Sequence, residues 1–161
     1  MFKEARPLNS VAKFHKRTLH PIEEKPVIPS ETRIILRIKL LQEELDELKE
    51  AVNKKSIKLI ADAFCDIQYV LSGAVLEFGL GHYFEELFNE VQRSNMTKIC
   101  TTKDEALKTI AKYKKKVKGE KFDYKIVNKE YPVFRISDNK VMKSINYLPP
   151  KLSEILKKKL P

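Results

Sequence analysis

Tryptophan is absent from this 161-residue chain, and cysteine and glycine are scarce, at two and four residues. Two cysteines, Cys65 and Cys100, cannot build a disulfide framework or a zinc cluster. Both are expected as reduced thiols, with Cys65 at a position that suits a small buried hydrophobe. There is no glycine-rich phosphate loop, no internal repeat and no low-complexity tract beyond short lysine runs. No apolar segment approaches the ~20 residues that span a bilayer, and the opening MFKEARPLNS lacks the apolar centre of a secretory signal. A cytoplasmic location with no membrane partner is therefore the expectation. At 42% hydrophobic content, the chain suits a globular protein with one ordinary core and a small appendage.

The net charge of +10 is unevenly spread. Residues 1–97 carry 14 Lys/Arg against 15 Asp/Glu, whereas residues 98–161 carry 18 against 7. Such an excess can attract polyanions. Of those 18 cations, however, 17 are lysine, which leaves almost no arginine for bidentate readout. The basic part reads as a solvated lysine-rich surface, and nucleic acid is not the expected partner.

Periodicity predicts a mainly α protein. A first helix capped by Asn9 or Ser10 ends at His20-Pro21, and Pro21, Pro26 and Pro29 mark a linker. Ser30 caps a second helix, in which Ile34, Ile35, Ile38, Leu41, Leu45 and Leu48 form a core stripe. Ser56 caps a third, running to about Phe78 and apolar nearly all round, which suits the centre of a bundle or an oligomer interface. A fourth helix follows from His82, and Thr102 to Glu105 reads as the capping box of a fifth that stops at Gly119. Beyond Gly119 the period changes to two. Tyr124–Val127 and Tyr131–Ile136 alternate as a hairpin, and Pro149-Pro150 introduces a short final helix. The expected domains are residues 1–119, a helical bundle, and residues 120–161, a β-hairpin extension packed on the bundle or on a partner subunit.

Two carboxylate clusters interrupt this pattern. Glu43, Glu44 and Glu47 lie beside the stripe of the second helix, and Asp62 and Asp66 break the apolar run of the third. Helical spacing puts Glu43 and Glu47, Glu44 and Glu47, and Asp62 and Asp66 on shared faces. Alone, the glutamates read as a solvated acidic face. Together, facing an interior with no Lys or Arg between Ile60 and Phe78, the clusters call for a cation. An all-oxygen donor set selects Mg²⁺ or Mn²⁺.

The series Glu43-Glu44-Leu45-Asp46-Glu47 followed by Ala61-Asp62-Ala63-Phe64-Cys65-Asp66, with Ser94-Asn95-Met96-Thr97-Lys98 further on, resembles the metal site of the all-α NTP pyrophosphohydrolases. These are the MazG-like, dimeric dUTPase and phosphoribosyl-ATP pyrophosphohydrolase families. The resemblance covers roughly residues 10–115. It implies an antiparallel helical bundle, a homodimer or homotetramer, Mg²⁺, and hydrolysis of a nucleoside triphosphate to the monophosphate and pyrophosphate. Carried over by position, Glu44, Glu47 and Asp66 match metal ligands, and Glu43 matches the first acidic residue, assigned to a second ion or to the attacking water, so that Glu43 and Glu44 are the catalytic candidates. Ala63 stands where the family has Glu, so that role moves to Asp62, four residues from Asp66. Asn95 and Lys98 would meet the phosphates, and Arg33 and His15 are further substrate-binding candidates. The alternative is a catalytically inactive relative that binds nucleic acid or nucleotide through its basic C-terminal part.

Overall fold

In the computed structural model, residues 2, 3 and 5–157 are described. Among them are six helices and one two-stranded sheet, in the order α1 (Pro7–Thr18), α2 (Glu31–Asn53), α3 (Ile57–Glu77), α4 (Phe84–Met96), α5 (Lys103–Lys116), β1 (Phe122–Tyr124), β2 (Val133–Arg135) and α6 (Leu152–Lys157). Contacts divide the chain into two units, the first ending at Phe84 and the second comprising Glu85–Lys157. Residues 158–161, the end of the expected extension, lie outside the described residues.

In the first unit, α2 and α3 form a helical hairpin with α1 packed on α3. Ser56 caps α3 as expected, its Oγ accepting from the Leu59 N–H at 3.4 Å. Ser30 sits at the N-cap of α2, yet its Oγ meets Thr32 Oγ1 at 3.2 Å rather than a backbone amide. Neither Asn9 nor Ser10 caps α1, which begins earlier, with Pro7 in its first turn. Proline has no N–H to leave unsatisfied there and its fixed φ already suits a helix. α3 is 21 residues long with a mean hydropathy of 1.5 over its most apolar window, which corrects the expectation from segment length: by length and composition alone it could cross a membrane. It also carries Asp62, Asp66 and Glu77, and it packs on both α1 and α2.

The stripe expected as the core of α2 is only half covered within one chain. Ile35 is 58% and Ile38 63% exposed, and Leu45 is exposed as well. What α2 buries instead is Arg37, together with Ala51. The reason lies on α3, where Glu77 is 1% exposed and is bonded by both Arg33 and Arg37. Arg37 Nη2 also meets His15 Nε2 at 3.1 Å, while His15 Nδ1 lies 2.9 Å from the Pro21 carbonyl. Since a carbonyl can only accept, the proton is assigned to Nδ1, leaving Nε2 to accept from Arg37. Gly73 makes this possible: a methyl there would lie 2.7 Å from Arg37 Nη1 and 3.1 Å from His15 Nε2. Gly79 closes the α3 end at φ 66°, and any Cβ would strike the Lys25 carbonyl.

This cluster gives the first unit a pH dependence. Burial lowers the His15 pKa from 6.5; the Pro21 bond opposes that, and the Arg37 charge reinforces it. Burial pushes the Glu77 carboxyl up, but its bonds to Arg33 and Arg37 hold it below its ordinary 4.5. For both groups the folded pKa lies under the unfolded one. Stability from His15 is therefore complete above 6.5 and is lost as pH falls through the folded value; that from Glu77 disappears only below 4.5. Urea unfolding from about pH 7.5 down to about 5.5 should show a falling midpoint, with a smaller fall in His15→Gln. Equal slopes in the two proteins would contradict this assignment.

The second unit is built on α5. Thr102 caps it, its Oγ1 accepting from the Glu105 N–H at 3.2 Å, and the buried Glu105 side chain accepts from the Thr101 N–H at 2.9 Å and from Ser144. β1 and β2 pair antiparallel, with Phe122 opposite Arg135 and Tyr124 opposite Val133. The strands are shorter than expected and β1 begins earlier. Beyond them Val127 and Glu130 close a tight turn in which Asn128 (φ 49°) and Lys129 (φ 66°) are left-handed, the geometry that matches strand twist in a two-residue hairpin. Phe122 and Val133 share one core with Cys100, Ala106 and Ile110. Position 119 therefore falls inside this unit. Truncation after Gly119 should unfold it, since it strips two buried side chains from a five-residue core; loss of α5 helicity in circular dichroism is the measurement.

Candidate metal and nucleotide site

Arg37, Leu40, Glu44 and Glu47 follow one another on α2 at spacings that keep them on one face, and Asp62, Asp66, Tyr69 and Gly73 do the same on α3. Gly73 lies against Arg37, and the loop end Ser56 lies near Ala51, whose carbonyl accepts the Ser56 N–H at 3.2 Å. The helices are thus antiparallel, which brings both carboxylate pairs to the middle of the hairpin. Glu44 is half-buried; Glu43, Glu47, Asp62 and Asp66 are exposed. This corrects the expectation that the clusters face an interior. They line a face open to solvent.

Electrostatically the other four carboxylates all act on Glu44. Burial raises the Glu44 pKa first, followed by the charges of Glu47, Asp66, Glu43 and Asp62 in that order. Neighbouring acids are sorted differently. Asp46 pairs with Lys49 at 2.7 Å and Glu50 with Lys54 at 3.2 Å, both on the solvated side. Glu43 lies 3.6 Å from the exposed Lys39. Among the described residues, Glu44, Glu47, Asp62 and Asp66 have no ion-pair partner within 4.0 Å.

The donor set is all carboxylate oxygen, which suits Mg²⁺ or Mn²⁺. As the side chains stand, no group of three or more His, Cys, Asp or Glu among the described residues is disposed to hold a metal ion. Glu44 and its neighbours Glu47, Asp62 and Asp66 nevertheless crowd negative charge, the only ion-paired member of the group being Glu43 among the described residues. Asp62 adds the smallest share of that repulsion, while its neighbour Ala63 is buried in the helix packing. Cys65, expected to be buried, is exposed, whereas Ala63, two residues earlier, is the position that the helix packing buries.

The other candidates fall elsewhere. Arg33 and His15 belong to the Glu77 cluster in the first unit. Asn95 is exposed at the end of α4 and Lys98 is half-buried, its N–H bonded to the Asn95 carbonyl at 3.0 Å; both belong to the second unit. Sequence reasoning assigned no role to Glu77, although it ends an apolar helix with no cation nearby in sequence, which was the available signal.

Comparison with known proteins concerns the chain as a whole. The chain is 22% identical to an uncharacterized protein of Acanthamoeba polyphaga mimivirus, in an alignment covering 96% of this chain and 97% of that protein. A family model for phosphoribosyl-ATP pyrophosphohydrolase matches residues 11–95, more than half of the chain and all of the α2–α3 hairpin. The chain therefore belongs to the phosphoribosyl-ATP pyrophosphohydrolase family, within the MazG-like all-α NTP pyrophosphohydrolase superfamily.

Proposed function

We propose that this protein is a Mg²⁺-dependent nucleotide pyrophosphohydrolase that cleaves a nucleoside triphosphate between the α and β phosphates. Membership of a pyrophosphohydrolase family supports hydrolysis of phosphoric anhydrides in general. The observation that carries the finer reading is Glu44, whose pKa is raised by burial and by four neighbouring carboxylates on two helices. Folded proteins keep such repulsion where a cation or a reaction uses it.

In this proposal Glu44, Glu47 and Asp66 hold the metal and Asp62 supports them, with Mn²⁺ an acceptable substitute. When bound, Mg²⁺ supplies the positive charge that neutralises the phosphate oxygens. Glu43, at the exposed edge, orients the attacking water and accepts its proton on the carboxylate. Incubating the protein with a panel of NTPs and dNTPs and following pyrophosphate tests the activity. Release of pyrophosphate with Mg²⁺ and none with EDTA is expected; turnover unaffected by EDTA overturns the metal role.

A self-associating assembly is part of the proposal. Ile35, Ile38, Leu45 and Val52 on α2, and Leu59, Phe64 and Leu71 on α3, are all exposed in the single chain. Large apolar side chains left exposed on two adjacent helices suit an interface between copies of the chain. Light scattering at micromolar concentration should give at least twice the monomer mass of 18.8 kDa; a monomer would contradict it.

A further inference from the structure

Within the second unit, residues 144–149 run along the last turn of α4 and are fastened to it by side chains. Ser94 is 1% exposed, and its Oγ lies 2.9 Å from the Leu148 carbonyl and 3.0 Å from the Tyr147 hydroxyl. A serine has one proton and a carbonyl only accepts, so Ser94 donates to Leu148 and accepts from Tyr147. By the same rule Thr97 Oγ1 accepts the Leu148 N–H at 3.0 Å and donates to the Ser94 carbonyl at 2.7 Å. The Ser144 N–H donates to the Lys98 carbonyl at 3.3 Å, and Arg93 donates to the Pro149 carbonyl at the same distance. Pro149 and Pro150 fix their own φ, which stiffens the end of the segment. Among the described residues of this unit α4 packs broadly on neither α5 nor the strands, so these bonds are what hold its last turn.

The turn held in this way carries Asn95 and Lys98. Lys98 is half-buried, yet among the described residues it has no carboxylate within 4.0 Å. A lysine covered to that extent without a partner suits an absent anion. A helix C-terminus ordinarily repels anions through its unpaired carbonyls. Here the carbonyls of Arg93, Ser94, Asn95 and Met96 already accept N–H groups from Thr97, Lys98 and Ile99, so the side chains are what the turn presents. We propose that residues 144–149 are a positioning strap which, through Ser94 and Thr97, fixes Asn95 and Lys98 for contact with the phosphates of the nucleotide. The proposal rests on the nucleotide reading and adds to it the residues that hold the phosphate contacts. Tyr147, Ser94 and Thr97 act through the turn and touch no phosphate themselves.

Calorimetric titration of the full chain with inorganic pyrophosphate in EDTA tests this without hydrolysis, with circular dichroism establishing that each variant is folded. Saturable binding is expected in the wild type, weakened about tenfold or more in Lys98→Ala. Thr97→Val keeps the shape and loses the hydroxyl, and Tyr147→Phe loses only its donor; each should weaken binding about three- to tenfold. Thr97→Ser, which restores the hydroxyl, should recover the wild-type affinity, a rescue that lost packing alone would not show. In the Lys98→Ala background Thr97→Val should add less than about twofold, because the residue it positions is gone. No binding by the wild type, wild-type affinity in Lys98→Ala, Thr97→Val or Tyr147→Phe, no rescue by Thr97→Ser, or fully additive losses in the double variant would overturn the proposal. Hydrolysis of NTPs by a protein whose strap variants bind as the wild type does would remove the strap and leave the pyrophosphohydrolase; the expected affinities without hydrolysis would do the reverse.

Discussion

Glu47→Gln should reduce turnover by about a thousandfold while leaving the fold intact. The side chain is exposed and pairs with no cation, so its amide replaces it without loss of packing. Its charge is the largest carboxylate influence on Glu44, which places it at the centre of the acidic site. Metal neutralisation of a phosphoryl transition state contributes several kcal/mol, and each 1.36 kcal/mol is tenfold in rate. The same substitution relieves repulsion in the metal-free protein, so Glu47→Gln should be no less stable than wild type in EDTA. Steady-state pyrophosphate release with parallel thermal melts separates the two effects. Full activity in Glu47→Gln would remove this carboxylate from the mechanism.

Glu77→Ala should cost about 3–5 kcal/mol, the range for breaking a buried ion pair by removing one partner. Two arginines lose their counter-ion at once. Arg37 cannot swing into solvent, because it is enclosed between His15 and Gly73. For a chain of this size each kcal/mol moves Tm by roughly 2–4 °C, so a fall near 10 °C or more is expected. Additional loss of Arg37 in the double variant Glu77→Ala/Arg37→Leu should recover part of it, since the stranded charge dominates. A melt within a degree of wild type for Glu77→Ala would show that the pair contributes little.

The contrast between these two residues shows what the sequence makes legible. Glu44, Glu47 and Asp66 announce themselves because helical spacing and the lack of nearby cations are local properties. Ser56 and Thr102 are equally local, and their side chains do accept the expected amides. Arg37 and Glu77 are 40 residues apart, and no periodicity links them. That single long-range pairing decides how α2 is rotated: it turns Arg37 inward and leaves Ile35 and Ile38 exposed, which is why the isoleucine stripe misleads as a core signal. At the α1 start, proline at the first turn was the stronger signal and Asn9 the weaker one. In the hairpin, alternation located the loop at residues 128–130, where the turn residues Asn128 and Lys129 indeed fall, but not the strand ends, because a three-residue strand is set by burial of Phe122 and Val133 against α5 rather than by its own pattern.

The central claim is that the carboxylates of α2 and α3 form one divalent-cation site that supports anhydride cleavage. Titrating chelator-stripped protein with Mg²⁺ by calorimetry, and in parallel by thermal melt, tests it most directly. Saturable binding is expected in the wild type, with Tm raised by about 5–10 °C at a hundredfold excess over Kd, and both responses should be lost in Glu44→Gln and in Asp66→Asn. No binding by the wild type, or binding equally strong in the two variants, would contradict it.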